Sequence, residues 1–168
     1  MNLNRSASSW RGRTIRYAPL LFWIAVIFYL SSSQGSMEQT SRFIGPFLKW
    51  LFPAAPPETL EYYHGFVRKL AHFAVYAVLS LLAVRAFYGS SAQALRSRWG
   101  LAAIFVVLSV AVMDEINQSQ NPLRTGSPFD VVIDLTGGAF AILFFWLLSG
   151  RRPKKVRSDE KEHGVFPL

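Results

Sequence analysis

The sequence contains no cysteine. That absence removes disulfides, thiolate zinc sites and thiol catalysis, and it leaves the compartment open. Acids are also scarce, with ten Asp and Glu against eighteen Lys and Arg and a formal net charge of +8. A basic excess can signal nucleic-acid binding. Here Lys and Arg gather beside apolar blocks, a pattern that argues against nucleic acid and for orientation in a membrane. No metal-binding motif of fixed spacing occurs. Apolar residues, by contrast, are plentiful: 51% of the 168 residues are hydrophobic and 15% aromatic. They form four blocks, without the helical or strand-period interruptions of a soluble domain. Each block approaches the ~20 residues that span ~30 Å of hydrocarbon.

Residues 1–16 are polar and carry Arg5, Arg11, Arg13 and Arg16 with no acid among them. The first apolar block, Pro19 to Leu30, reaches spanning length when extended from Tyr17 to Ser33. A basic start followed by a short apolar stretch and small residues also describes a cleavable signal peptide. Trp23, Tyr29 and the block's length favour a retained first helix. Within the long connection 34–65, Phe43, Ile44, Phe47, Leu48, Trp50, Leu51 and Phe52 recur near helical period beside Arg42 and Lys49. This predicts a short helix in the headgroup region, with a greasy loop packed on the bundle as the alternative. Gly45-Pro46 is expected to bend or restart it, and Pro53 with Pro56-Pro57 to end it.

The second block runs from Phe66 to Phe87, the third from Trp99 to Gln118 and the fourth from Phe129 to Ser149. Ser127-Pro128 is a helix-start signal, with Ser as N-cap and Pro at the first helical position. Residues 150–168 form a basic tail beginning Arg151-Arg152-Pro153-Lys154-Lys155. The expected fold is all-α: a polytopic membrane protein of four transmembrane helices, residues 17–149, plus a short interfacial helix in the first extracytoplasmic loop. Four spans place both termini on one side, and the positive-inside rule makes that side cytoplasmic.

That topology collects what the sequence scatters. Arg68, Lys69 and His72 begin the second block, Asp114, Glu115 and Gln118 end the third, and Asp130 and Asp134 begin the fourth. All of these fall at one depth near the outer face, with Arg124 in the short outer loop. Charged groups at membrane depth are costly and are functional candidates by default. Residues four apart share a helix face, so His72 with Tyr76, Asp114 with Gln118 and Asp130 with Asp134 give three matching polar pairs. If the second helix starts at Phe66, Arg68 and Lys69 sit at the positive end of one helix dipole. Asp114 and Glu115 sit at the negative end of another, each mismatched by up to ~1 kcal/mol until the antiparallel fold brings them together.

The run Lys69-Leu-Ala-His72-Phe-Ala-Val-Tyr76, then Asp114-Glu115-Ile-Asn-Gln118, then Arg124, then Asp130-Val-Val-Ile-Asp134-Leu-Thr-Gly137-Gly138 resembles the VanZ-like membrane proteins. The match covers about half the chain, residues 66–149, and its specificity lies in the ordered combination. The resemblance implies a small helical protein of the bacterial inner membrane. The family's namesake confers low-level resistance to the glycopeptide teicoplanin. Asp134 departs from the pattern, where Asn is more usual; an acid there either favours a cation or is carried neutral.

The residues expected to contact a ligand are Lys69, His72, Tyr76, Asp114, Glu115, Gln118, Arg124, Asp130 and Asp134. His72, Asp114, Glu115 and Asp134 are the catalytic candidates, and Asp114, Glu115, Asp130 and Asp134 the candidates for a divalent metal. Each has a plainer reading. His72 and Tyr76 are also suited to helix packing, Glu115 to a solvated helix end, and Asp130 to a capping box with Ser127. Gly137-Gly138 suits close helix contact. Three functions follow. The first is binding of an envelope lipid headgroup, a lipid-linked wall precursor or a lipoglycopeptide. The second is a metal-dependent membrane hydrolase or transferase acting on phosphate-containing lipids, with His72 as base or extra ligand. The third is a scaffold subunit whose polar cluster only locks helices together.

Overall fold

A computed structural model describes residues 3–32, 37–120 and 127–149, with the side chains of 3–11, 37 and 38 excepted. Arg124, the basic tail 150–168 and the side chains of Arg5 and Arg11 therefore lie outside the described residues. Six helices and no strand make up the rest: α1 Leu3–Ser31, α2 Met37–Leu51, α3 Pro57–Tyr88, α4 Gln93–Ser97, α5 Trp99–Ser119 and α6 Pro128–Ser149. Four of them, α1 (over Gly12–Ser31), α3, α5 and α6, are long and apolar enough to cross a membrane. Large apolar side chains such as Phe22, Phe105, Phe140 and Trp146 point outward. An exterior of this kind is suited to lipid, and in water it would be an aggregation surface.

Two element boundaries differ from expectation for a local reason. α3 starts at Pro57, nine residues before the apolar block, because Pro56 is the extended cap residue and Pro57 occupies the first helical position. The pair expected to close one helix instead opens the next. At 32 residues α3 is roughly 48 Å long, well beyond the ~30 Å of hydrocarbon. Arg68 and Lys69 consequently lie about three turns inside it, past the first turn where the helix dipole acts, and the dipole mismatch expected for them does not arise. α2 is one helix through Pro46. Proline there removes a single backbone bond at an exposed position, and its neighbour Gly45 has no side chain to crowd the ring.

A proline also lies inside α1. Pro19 cannot donate to the carbonyl of Ile15 four residues back, and the Arg85 guanidinium from α3 donates to that carbonyl instead, at 3.4 Å. α1 is further tied along its length: Tyr17 hydroxyl pairs with Ser90 Oγ at 2.9 Å, and the Trp23 indole donates to the Val75 carbonyl at 3.0 Å. Near its end, Asn117 donates to Ser31 Oγ at 3.1 Å.

α3 is the axis of the bundle and packs against each of the other five helices. α5 and α6 lie along it, α1 covers α3 and α5, and α2 packs, among the described residues, against α3. The buried apolar core runs through Leu79, Ala83 and Val84 of α3 and Ala103 and Val107 of α5. It ends at mutually edge-on rings of Tyr88, Trp99 and Phe145, 5.4–5.9 Å apart. The closest approach of three helices is at Gly137-Gly138. A methyl group on Gly137 would overlap the Phe73 carbonyl oxygen of α3, and one on Gly138 would lie 2.8 Å from Val107 Cγ1 of α5. The contact expected of this glycine pair is thus present, and Ser80 Oγ seals it by donating to the Gly138 carbonyl at 2.9 Å.

Gly137→Ala must push α6 away from α3 backbone and is expected to cost ~1–3 kcal/mol, read as a lowered melting temperature in detergent micelles. Gly65→Ala, with nothing within 4 Å, is expected to match or slightly exceed the parent.

Candidate functional site

One face of α3 carries His64, Arg68, His72, Tyr76 and Ser80, each four residues from the last. At that spacing they form a polar stripe along the side of α3 that meets its neighbours. Each member meets a different neighbour. His64 Nε2 pairs with Thr40 Oγ1 of α2 at 3.1 Å, and Arg68 Nη2 donates to Gln118 Oε1 of α5 at 3.2 Å. His72 Nδ1 meets Asp134 Oδ1 of α6 at 3.1 Å, and the Tyr76 hydroxyl donates to Asp114 Oδ2 of α5 at 3.1 Å. The stripe is the seam that joins α2, α5 and α6 to the axis.

Asp114 is its centre. It is 3% exposed, and its Oδ2 accepts from both Tyr76 and the Gln118 side-chain amide, the latter at 3.0 Å. Gln118, one turn on and 1% exposed, thereby links Arg68 to Asp114 without direct contact between cation and acid. Asp114 Oδ1 is buried with no hydrogen-bond partner among the described residues. Asp134, 2% exposed, lies two turns into α6, too deep for helix capping to account for it. His72, Asp114 and Asp134 each offer a ligand atom, all within 4.8 Å of one another.

A cavity of about 180 Å³ opens against this cluster. One wall is polar, with His64, Arg68, His72, Tyr76, Asp114 and Gln118. From α1 and α2 the lining is mainly apolar, with Ile27, Leu30 and Ile44 beside the hydroxyls of Ser31 and Thr40, and Val67, Ala71 and Val75 flank the stripe. The arrangement can hold an anionic group at one side and a hydrocarbon chain at the other. It also offers a histidine oriented by a buried carboxylate, a usual setting for proton transfer or metal ligation.

Of the residues expected from the sequence, His72, Tyr76, Asp114, Gln118 and Asp134 come together. Gln118 is fully engaged. Glu115, the next residue round the helix, is half-buried and outside the three-residue group, and Asp130 occupies the first turn of α6, where its amide donates to the Ser127 carbonyl at 2.7 Å. Lys69 is one position off the stripe and exposed, with its ammonium 5.6 Å above the Phe129 ring. The cavity's cation is therefore Arg68, and Lys69, Glu115 and Asp130 stand outside its lining. Arg68 and His64 were both legible as members of the four-residue series that ends in His72 and Tyr76. Thr40 and Ser31 gave no local signal, because their partners lie on other helices.

A family model described as VanZ/LLP1 matches residues 17–149, which takes in all four long helices and every residue of the cluster. No curated protein and no solved structure matches the chain.

Tyr76→Phe leaves Asp114 Oδ2 with one donor in place of two. A loss of ~1–3 kcal/mol is expected by chemical unfolding in micelles. Glu115→Gln, which breaks no hydrogen bond seen among the described residues, is expected to stay within ~0.5 kcal/mol. Equal effects from the two would mean that the Tyr76–Asp114 bond does not contribute.

Proposed function

The chain belongs to the VanZ/LLP1 family and is a membrane protein of apolar helices, and from that footing we propose that its cavity binds the polar headgroup of a lipid-anchored ligand. The class comprises an envelope lipid, a lipid-linked wall precursor or the acyl-anchored end of a lipoglycopeptide. The observation that carries this reading is the mixed lining, in which Arg68 and His72 of α3 meet Ile27, Leu30 and Ile44 from α1 and α2. A guanidinium suits phosphate or carboxylate through its fork of donors. Size supports a headgroup as well. About 180 Å³ is below the ~300–1,000 Å³ of sites that enclose a drug-sized molecule, so the rest of the ligand stays in the bilayer.

In this reading the cavity faces the extracytoplasmic side of a bacterial inner membrane, with both termini cytoplasmic, as the distribution of Arg and Lys favours. α2 lies along the interface. Its Leu48 is buried, its Ile44 faces the cavity, and Phe43 and Trp50 are 81% and 76% exposed. Those two aromatics suit insertion among headgroups beside the entrance. Arg124, in the short outer loop, supplies a second cation. The low-level teicoplanin resistance that the resemblance implies would follow from capture of the lipoglycopeptide or of its precursor target.

Arg68→Ala is expected to lose most of the lipid that co-purifies with the parent, read by native mass spectrometry at unchanged membrane level. Parental lipid occupancy in that variant would refute the headgroup reading. Orientation has its own test, made clean by the absence of cysteine. A membrane-impermeant maleimide applied to intact spheroplasts is expected to label Gln120→Cys and to spare Ser158→Cys; the reverse pattern would invert the topology.

A further inference from the structure

We propose that His72, Asp114 and Asp134 form a binding site for one divalent transition-metal ion, zinc or manganese, beside the cavity that His72 and Asp114 line. The three residues come from α3, α5 and α6, and their ligand atoms already lie within 4.8 Å of one another. Metal–ligand bonds of ~2.0–2.2 Å place neighbouring donors roughly 3–4 Å apart, so a single ion needs only a small contraction of the group. The triad differs from a purely acidic site in its imidazole. One nitrogen and two carboxylate oxygens suit zinc or manganese better than magnesium, which keeps water and oxygen ligands.

A second observation points the same way and concerns a single atom. Asp114 Oδ1 is buried and unpartnered, although Oδ2 of the same carboxylate takes two donors. A buried oxygen without a partner normally costs ~1–3 kcal/mol and calls for something to occupy it. Arg68 Nη2 donates instead to the side-chain Oε1 of Gln118. A divalent ion would occupy that lone pair and, with the imidazole, balance the two buried carboxylates. Buried charge is retained where it is paired or ligates a metal. Tyr76 and Gln118 then act as the outer shell, holding Oδ2 so that Oδ1 faces the ion. The Gly137-Gly138 contact fixes α6 one turn from Asp134 and keeps the donors in place.

Glu115 and Asp130, also acids near this end of the bundle, are outside the group. The ion site stands on its own geometry. Its use, completing its coordination with a phosphate or carboxylate oxygen of the bound headgroup beside Arg68, rests on the proposed reading of the cavity.

The test uses full-length, untagged protein in detergent, stripped with chelator and reloaded with zinc or manganese chloride. After gel filtration, elemental analysis is expected to find one ion per chain. Asp114→Asn and Asp134→Asn are each expected to retain less than a tenth of that, while Glu58→Gln, an exposed residue at the start of α3, retains all of it. X-ray absorption on the zinc-loaded parent needs no variant and is expected to show one imidazole in a nitrogen and oxygen shell. No ion retained by the parent, a shell without imidazole, or parental retention by both Asn variants would each overturn the proposal. One zinc per chain in Arg68→Ala protein that has lost its lipid supports the ion site, as does one zinc in a parent that never held lipid; the latter would remove the headgroup reading alone.

Discussion

A carboxylate at the meeting of three helices in an apolar bundle has no bulk water to turn to, and its donors must come from the neighbouring helices. That requirement governs the arrangement around Asp114. Tyr76 from the axis and Gln118 from the same helix converge on one oxygen, and Arg68 reaches it at one remove. Each of these bonds is specific in rotation and in height, so together they set how α5 is turned and how far it slides along α3. Apolar packing alone sets neither sharply, because hydrocarbon is much the same against lipid as against another helix.

The two ends of the bundle are built on different physics. At one end, Tyr88, Trp99 and Phe145 interlock as edge-on rings, and the core between Leu79 and Ala103 is without charge. At the other, α3 presents the polar stripe to α5 and α6, and the cavity lies between α3, α5, α1 and α2. Gly137-Gly138 separates these regimes, and its close contacts with Phe73 and Val107 make it a fulcrum with almost no play. A rigid waist keeps His72 and Asp134 at hydrogen-bond distance.

α1 and α2 contribute differently. α1 is held by side chains that answer backbone needs, as where Arg85 takes the carbonyl that Pro19 leaves free. Among the described residues α2 packs against α3, and the Thr40–His64 pair links it to the polar stripe. It forms part of the cavity wall through Thr40 and Ile44 while leaving Phe43 and Trp50 exposed.

Much of this was legible in the sequence. Four apolar blocks of spanning length dictated a helical membrane protein, since a helix is the structure that satisfies its own backbone in hydrocarbon. The spacings His72–Tyr76 and Asp114–Gln118, with Asp134 on a third block, pointed to residues that the fold does bring together. Tertiary structure alone decided which neighbours turn inward. The four-residue period of Arg68, His72 and Tyr76 reaches back to His64 because α3 begins at Pro57, and the packing of α3 against α5 turns Arg68, not its neighbour Lys69, toward Gln118. Acids adjacent in the chain were likewise divided: Asp114 is enclosed while Glu115, about 100° further round the helix, is half-exposed. Composition and periodicity specify what a segment is, but which of two neighbouring charges is enclosed depends on a helix rotation, and contacts between distant residues determine that rotation.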